Sequence, residues 1–317
     1  MNKVDDFIIK SLLSIKGLKV QKNISLSEVS NWKVGGKAKV LVTPSTTEQI
    51  ISLITLLNEN KTKYLVIGNT TNLLFSDDNI DVVLIKIGNE YSNLEIDNLS
   101  VRVQSGIWVP KLARSVMRAG LTGIEHTCGI PGTLGGLVVM NGGSQRKGIG
   151  EHIKSIKTLD KEGNLKKYTQ KGCLFGYRDS IFQKLDEIIL EVDLDLTQSV
   201  NKKESHSEML NILQSRSRKF PRKLPNCGSV FVSNPVMYEE FGPPGKVIEY
   251  CGLKGLAKGG AQISTSHANF IVNNGNATSK DILYLIDYVR DTVFEKTGYL
   301  MKVEAKFVTS IGSIEEI

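Results

Sequence analysis

The sequence predicts an α+β protein, on three observations. Helix-spaced and alternating apolar segments are interspersed along the chain, but without the regular β-α-β order of a parallel doubly wound sheet. At 317 residues and 40% apolar composition, the chain is long enough for two or three packed units. Its texture changes near Thr197, where an acidic, apolar strand gives way to a polar and then a basic stretch.

The elements follow in order. MNKVDDFIIKSLLSIKGLKV sets Asp5 and Asp6 before a short apolar stretch and has no small-residue cleavage pattern, so it reads as an amphipathic helix and not a secretory leader. KVLVTP (39–44) is a strand stopped by Pro44, and STTEQIISLITLLNENK a helix with Ser45 and Glu48 in capping-box spacing. KYLVIGN (63–69) and VVLIKI (82–87) are strands, and LEIDNLSVRV is a hairpin turning at Asp97-Asn98. VPKLARSVMRAG (109–120) has helical spacing and a terminal glycine. Within GIPGTLGGLVVMNGG (129–143), Leu137 to Met140 reads as a buried strand and Asn141-Gly142-Gly143 as its exit turn. IKSIKTLDKEGNLKKYT is a second hairpin, and EIILEVDLDL (187–196) a strand.

Beyond Thr197 come a polar-to-basic helix, a turn at GPPG, and short strands at AQIS and NFIVN. TSKDILYLIDYVRDTVFEKTG is a helix, with Thr278 and Asp281 as capping box and Gly298 as stop. Its apolar stripe is Ile282, Leu285, Ile286, Val289 and Val293. YLMKVEAKFV (299–308) reads as the last strand, with Met301, Val303, Ala305 and Phe307 on one face and Lys302, Glu304 and Lys306 on the other.

Composition excludes several functions. The net charge of +7 favours anionic ligands, yet no basic tail concentrates it, which argues against nucleic acid as a partner. No apolar run has the length of a membrane span. Cys128, Cys173, Cys227 and Cys251 are scattered and form no C-x-x-C pair, so neither a metal site nor a dithiol is expected. The expectation is a cytoplasmic, monomeric protein.

Two glycine-bearing loops follow predicted strands: IGNTTNLLF (67–75) and the 129–143 cluster. Neither is a phosphate-binding loop with lysine after the glycines, and neither is a G-x-G-x-x-G opening a helix. Glycine permits positive φ and lets successive amides converge on one anion. From the residues alone, tight packing turns and an anion cradle both remain open.

Seven segments in order resemble the UDP-N-acetylenolpyruvoylglucosamine reductase family, bacterial flavoenzymes of cell-wall precursor synthesis. They are KVGGKAKVLVTPSTTEQI, GNTTNLLF, GIEHTCGIPGTLGGLVVMNGG, LFGYRDSIF, RKFPRKLPNCGSVFVSNP, EYCGLKGLAKGGAQISTSHANFIVN and GYLMKVEAKFV, covering about Asn23 to Val308. The resemblance implies a two-subdomain FAD-binding unit of the vanillyl-alcohol-oxidase type, at 1–80 and 81–197, and a C-terminal substrate domain at 198–317. It implies FAD and NADPH as cofactors and a UDP-sugar as substrate. The FAD contacts it implies are Gly68, Asn69, Thr70, Thr71, Asn72 and Leu73 in one loop. In the other they are Gly129, Ile130, Pro131, Gly132, Thr133, Gly135 and Gly136. No inserted loop follows FGYRDSIF, as in the family's shorter subclass. Thr70 stands where the family has glycine and Thr71 where it has serine; Val303 stands where proline is usual. A β-branched residue is awkward at positive φ, so either Thr70 has ordinary dihedrals or flavin affinity changes.

The family reaction passes hydride from NADPH through FAD to an enolpyruvyl carbon, and the adjacent carbon must then be protonated. The resemblance makes Ser229 the proton donor and Arg178 and Glu304 the groups that stabilise the enolate. Tyr177, Lys219, Asn234, Gln262 and His267 fall in matching segments as substrate-binding residues. On the residues alone, Ser229 is a turn or cap residue, Arg178 a partner of Asp179, and Glu304 one charge on a solvated face. Lys219 belongs to an ordinary basic loop, and His267 is structural. An FAD enzyme acting on another carbohydrate or acid keeps the same fold; a non-enzymatic nucleotide-binding module is the third reading.

Overall fold

The computed structural model describes residues 4–317. In chain order its helices are α1 (Asp6–Ser14), α2 (Leu26–Val29), α3 (Thr47–Glu59), α4 (Val109–Arg118), α5 (Leu134–Val139), α6 (Lys202–Lys219), α7 (Pro235–Phe241), α8 (Pro244–Tyr250) and α9 (Ser279–Thr297). Its strands begin with β1 (Lys19–Ser25), β2 (Lys37–Thr43), β3 (Tyr64–Ile67), β4 (Leu73–Phe75), β5 (Ile80–Lys86), β6 (Leu94–Asp97), β7 (Ser100–Gln104) and β8 (Leu121–Thr122). They continue with β9 (Ile153–Asp160), β10 (Leu165–Thr169), β11 (Glu187–Asp195), β12 (Thr197–Gln198), β13 (Ala257–Lys258), β14 (Ala261–Ile263), β15 (Ile271–Asn273), β16 (Lys306–Val308) and β17 (Ile314–Glu316). Sheets and helices are mixed without β-α-β regularity, as the sequence predicts.

The chain divides into two compact units that interleave in sequence. The first runs through Gln21 and takes Val40–Asn69 and Val83–Arg216; the second takes Lys22–Lys39, Thr70–Val82 and Ser217–Ile317. This grouping differs from the consecutive segments 1–80, 81–197 and 198–317. Residues of the early chain join the C-terminal ones, and most of α6 belongs with the first unit.

In the first unit, α1 is capped by Asp5, whose carboxylate accepts from the Ile8 amide. Helix α3 begins one residue later than predicted: Thr46 is its cap, and Ser45 instead donates to the Gln49 side chain. Strands β3 and β5 pair in parallel, Tyr64 opposite Val83, and β5 packs Val83 and Ile85 against Ile50, Leu53, Ile54 and Leu57 of α3. A second core lies under the five-stranded antiparallel sheet β10-β9-β11-β7-β6. That sheet's outer face carries polar ladders, with Glu187 accepting from Thr158, Lys166 and Tyr168.

The predicted strand at Leu137–Met140 is a helix, α5. Leu134, Leu137 and Val138 are buried at helical spacing. Thr133 caps the helix, its hydroxyl accepting from the Gly136 amide. A short apolar run carries no reliable period of its own.

In the second unit, α9 has the predicted capping box, with Thr278 and Asp281 bonded reciprocally and Gly298 ending it at φ 74°. Asp77, after the first glycine loop, accepts from the Ser279 amide and hydroxyl. The predicted strand over 299–308 shrinks to β16, which pairs in parallel with β4 and antiparallel with β17. Met301, Val303 and Ala305 are buried in the expected alternation, but ladder pairing upstream is one bridge, Phe231 to Val303. The other edge of Phe231 is served by a side chain. The Asn269 amide accepts from the Phe231 N–H at 2.9 Å and donates to its carbonyl at 3.0 Å.

Candidate active site and cofactor cradle

The first glycine loop is divided between the units. Gly68 and Asn69 belong to the first, and Thr70, Thr71, Asn72 and Leu73 to the second. In the first unit, Gly68 lies against the cap of α5. A Cβ added to Gly68 would sit 2.4 Å from the Thr133 hydroxyl, so only glycine permits this approach. Asn69 donates from its side chain to the Pro131 carbonyl at 3.2 Å. The two glycine loops therefore converge at Gly68–Asn69 and Pro131–Thr133.

The amides of the 129–136 stretch are not all available to a ligand. Ile130 donates to Thr127, Leu134 to Ile107, and Gly135 to the Ser105 carbonyl; Gly136 donates to the Thr133 hydroxyl. Gly132 and Thr133 are buried, and among the described residues their amides find no protein acceptor. Buried amides without partners are costly and suit a bound anion. This fits a phosphate-bearing cofactor, with the donor set narrowed to Gly129, Gly132 and Thr133. Gly129 also packs on Arg216: a Cβ there would meet Arg216 Cδ at 2.4 Å. Cys128, just before the loop, is buried with its Sγ 3.7 Å from the Met209 carbonyl, and burial pushes its thiol up to about 11.

Arg178 and Tyr177 occupy the middle of a tight turn in the same unit. Gly176 and Asp179 exchange backbone hydrogen bonds of 3.0 and 3.3 Å across it. Arg178 has φ 55°, a left-handed value that side chains adopt at a cost. Its guanidinium donates to the Gly143 carbonyl at 3.2 Å and lies 5.2 Å from the Tyr177 ring centroid. The turn sends the guanidinium to Gly143.

In the second unit, Thr70 is buried at φ 55°. The expected strain is therefore present. Its hydroxyl donates to the Val29 carbonyl and accepts from the Asn31 amide, each at 3.1 Å. Asn72 uses its side chain on the Glu304 carbonyl at 3.0 Å, and its own carbonyl accepts from Lys306. The Cys227 thiol points at the Thr70 and Leu73 carbonyls. Ser229 follows Gly228, which has φ 79°, and the next residue, Val230, accepts from the Glu304 amide at 2.7 Å. Loop 70–73, Ser229 and Glu304 are thus brought together by backbone bonds.

The predicted substrate residues are placed less uniformly. Asn234 caps α7, accepting from Val236 and Met237. Gln262 donates to the Gly255 carbonyl and accepts from Asn274. His267 accepts the Asn269 amide on Nδ1 and packs edge-on against Phe220 and Phe270, and burial lowers its pKa. Lys219 is exposed at the end of α6. Sequence reasoning missed Asn269, which aligns Val230 and Phe231 behind Ser229 and is only 5% exposed. An asparagine inside the apolar run NFIVN is the signal that marks it, since a buried amide must have partners.

Comparison with known proteins bears on both units. Residues 38–169 match an FAD-binding domain family, and residues 220–308 match the C-terminal domain of UDP-N-acetylenolpyruvoylglucosamine reductase. UDP-N-acetylenolpyruvoylglucosamine reductase 1 of Corynebacterium glutamicum is 45% identical, over 91% of this chain and 86% of its own. The chain belongs to the UDP-N-acetylenolpyruvoylglucosamine reductase family. The reductase of Halalkalibacterium halodurans is 37% identical over 95% of this chain and 98% of its own. The crystal structure of the reductase from Thermus caldophilus superposes with a TM-score of 0.76 at 29% identity, covering 92% of this chain and 99% of that one. Membership in the reductase family makes the chain an FAD-dependent oxidoreductase. No helix among the described residues is long and apolar enough to cross a membrane.

Proposed function

We propose that the protein reduces the enolpyruvyl group of UDP-N-acetylglucosamine enolpyruvate to give UDP-N-acetylmuramate, with NADPH as electron source. When bound, FAD would supply the two-electron chemistry that links NADPH to the terminal enolpyruvyl carbon. Gly68, Asn69, Gly129, Gly132 and Thr133 hold its phosphates through backbone amides, Asn69 sharing its side chain with Pro131. Arg178 balances the charge that develops on the substrate carboxylate as its α-carbon becomes an enolate; a guanidinium stays charged throughout. Glu304 supports the same enolate. The Ser229 hydroxyl gives its proton to the α-carbon. Lys219 meets a phosphate of the UDP-sugar or of the cofactor, and Tyr177 helps to bind or orient the substrate.

One observation supports this reading above the others: the Glu304 amide bonds to Val230, next to Ser229, while Asn72 of the first loop holds the Glu304 carbonyl. Both bonds are made by the Glu304 backbone, and they set Glu304 alongside Ser229 and the first loop.

Anaerobic stopped-flow spectroscopy separates the two half-reactions. Ser229→Ala should bleach with NADPH at the wild-type rate and lose nearly all re-oxidation by the enolpyruvyl sugar, a fall of roughly 10²–10⁴-fold. If both half-reactions survive, Ser229 is not the proton donor. Re-oxidation by unrelated carbohydrates in preference to the enolpyruvyl sugar would remove the substrate assignment.

A further inference from the structure

Arg178 sits in a backbone conformation that a non-glycine residue holds only when its surroundings impose it. A left-handed residue costs about 1–2 kcal/mol, and such strain persists at functional sites because neighbours over-determine it. Positive φ at the third position of a tight turn is the type II pattern, which ordinarily takes glycine or asparagine. Three side-chain hydrogen bonds anchor this turn. The Asn141 amide donates to the Gly176 carbonyl at 2.8 Å, at its first residue. The Arg178 guanidinium donates to Gly143. The Gln183 amide nitrogen donates to the Arg178 carbonyl at 2.9 Å and to the Val139 carbonyl at 3.2 Å. Ser180 also donates to Val139, at 2.7 Å.

Val139 is the last residue of α5, the helix whose cap, Thr133, closes the cofactor cradle. Its carbonyl is one of those that a helix leaves unsatisfied at its C-terminus, and Ser180 alone would satisfy it. Gln183 does something further: one NH2 group bridges the end of α5 to the strained carbonyl of Arg178. We propose that Gln183 is a positioning residue that holds Arg178 in its left-handed conformation, in register with the cofactor helix. This rests on the reading that Arg178 stabilises the enolate. Its consequence is kinetic. An arginine that acts on charge appearing only in the transition state loses rate when displaced, and substrate affinity changes little.

Neighbouring residues make the test. Gln183→Met keeps size and removes the donor, and Gln183→Glu keeps the shape and the acceptors without the NH2. Ser180→Ala removes only the helix-capping bond. In stopped-flow half-reactions, both Gln183 variants should bleach with NADPH as the wild type does. Both should be re-oxidised by the enolpyruvyl sugar about ten- to a hundred-fold more slowly at saturation, with half-saturation changed by about two-fold or less. Ser180→Ala should behave as wild type in both. Equal slowing by Ser180→Ala would reduce Gln183 to a helix cap and overturn the proposal. Wild-type rates in both Gln183 variants would overturn it as well. Arg178→Ala tells the two failures apart: if it too re-oxidises normally, the assignment of Arg178 is what fails. If Arg178→Ala is slow, and added guanidinium restores it while the Gln183 variants are fast, only the role of Gln183 is lost.

Discussion

Thr70 carries a conflict whose resolution is measurable. It holds φ 55°, where glycine rests at no cost and a β-branched residue pays about 1–2 kcal/mol. Against that stand two 3.1 Å hydrogen bonds of its hydroxyl, to Val29 and from Asn31, which join the first loop to the C-terminal end of α2. Each contributes about 0.5–1.5 kcal/mol net, and an abandoned partner costs up to about 3 kcal/mol when fully buried. Val29 and Asn31 are half-buried, so water recovers part of that. Thr70→Val keeps the strain and loses both bonds, and is expected to destabilise by about 2–3 kcal/mol. Thr70→Gly loses the same bonds but also the strain, while gaining about 0.5–1 kcal/mol of unfolded-chain entropy to overcome. It should fall between Thr70→Val and the wild type, about 1–2 kcal/mol down. Urea unfolding of the FAD-free protein reads the order directly, and FAD titration by fluorescence quenching should weaken in the same order. A Thr70→Gly variant more stable than wild type would refute the reasoning, because strain would then outweigh the hydroxyl's bonds.

Two further outcomes follow from groups near the second loop. His126 is 2% exposed, and burial, the charge on His152 and then that on Lys147 lower its pKa to about 4. An unfolded histidine near 6.5 takes its proton first as pH falls. Stability is therefore full above about pH 6.5 and drains by roughly 3 kcal/mol toward pH 4; melting curves of His126→Gln should be flatter over that window, and an unchanged slope would exclude His126 as the cause. Cys128, with its thiol raised to about 11, is a poor nucleophile at neutral pH. Acid precipitation should release all the yellow colour into the supernatant, and flavin retained in the pellet would show a covalent link.

What the sequence made legible is what is written locally. Helix α9 announces itself through Thr278, Asp281 and Gly298, all within its own span, and its stripe of Ile282, Leu285, Ile286 and Val289 is the face it buries. The strand expected at Leu137 failed because what decides α5 lies elsewhere. The Leu134 and Gly135 amides are taken by the Ile107 and Ser105 carbonyls, which set the helix's first turn. The candidate site divides along the same line. Its charged and hydroxyl-bearing members attract attention through their chemistry. The residues that hold them do not: Asn72 reaches Glu304 across 232 positions, Asn269 frames Phe231 across 38, and Gln183 bridges Val139 and Arg178.

All three of these are neutral carboxamides. They titrate nothing and leave no charge pattern, yet each offers a donor and an acceptor on one rigid plane, and so can complete a backbone where no strand is available. Asn269 does this literally, standing in for a neighbouring strand at Phe231. A carboxamide used this way is poorly replaced by its acid, which keeps the shape but has no N–H to give. The conservative exchange of amide for acid at Asn72, Asn269 or Gln183 is therefore the informative one. It separates residues that merely fill space from residues whose donor holds a reacting group in place.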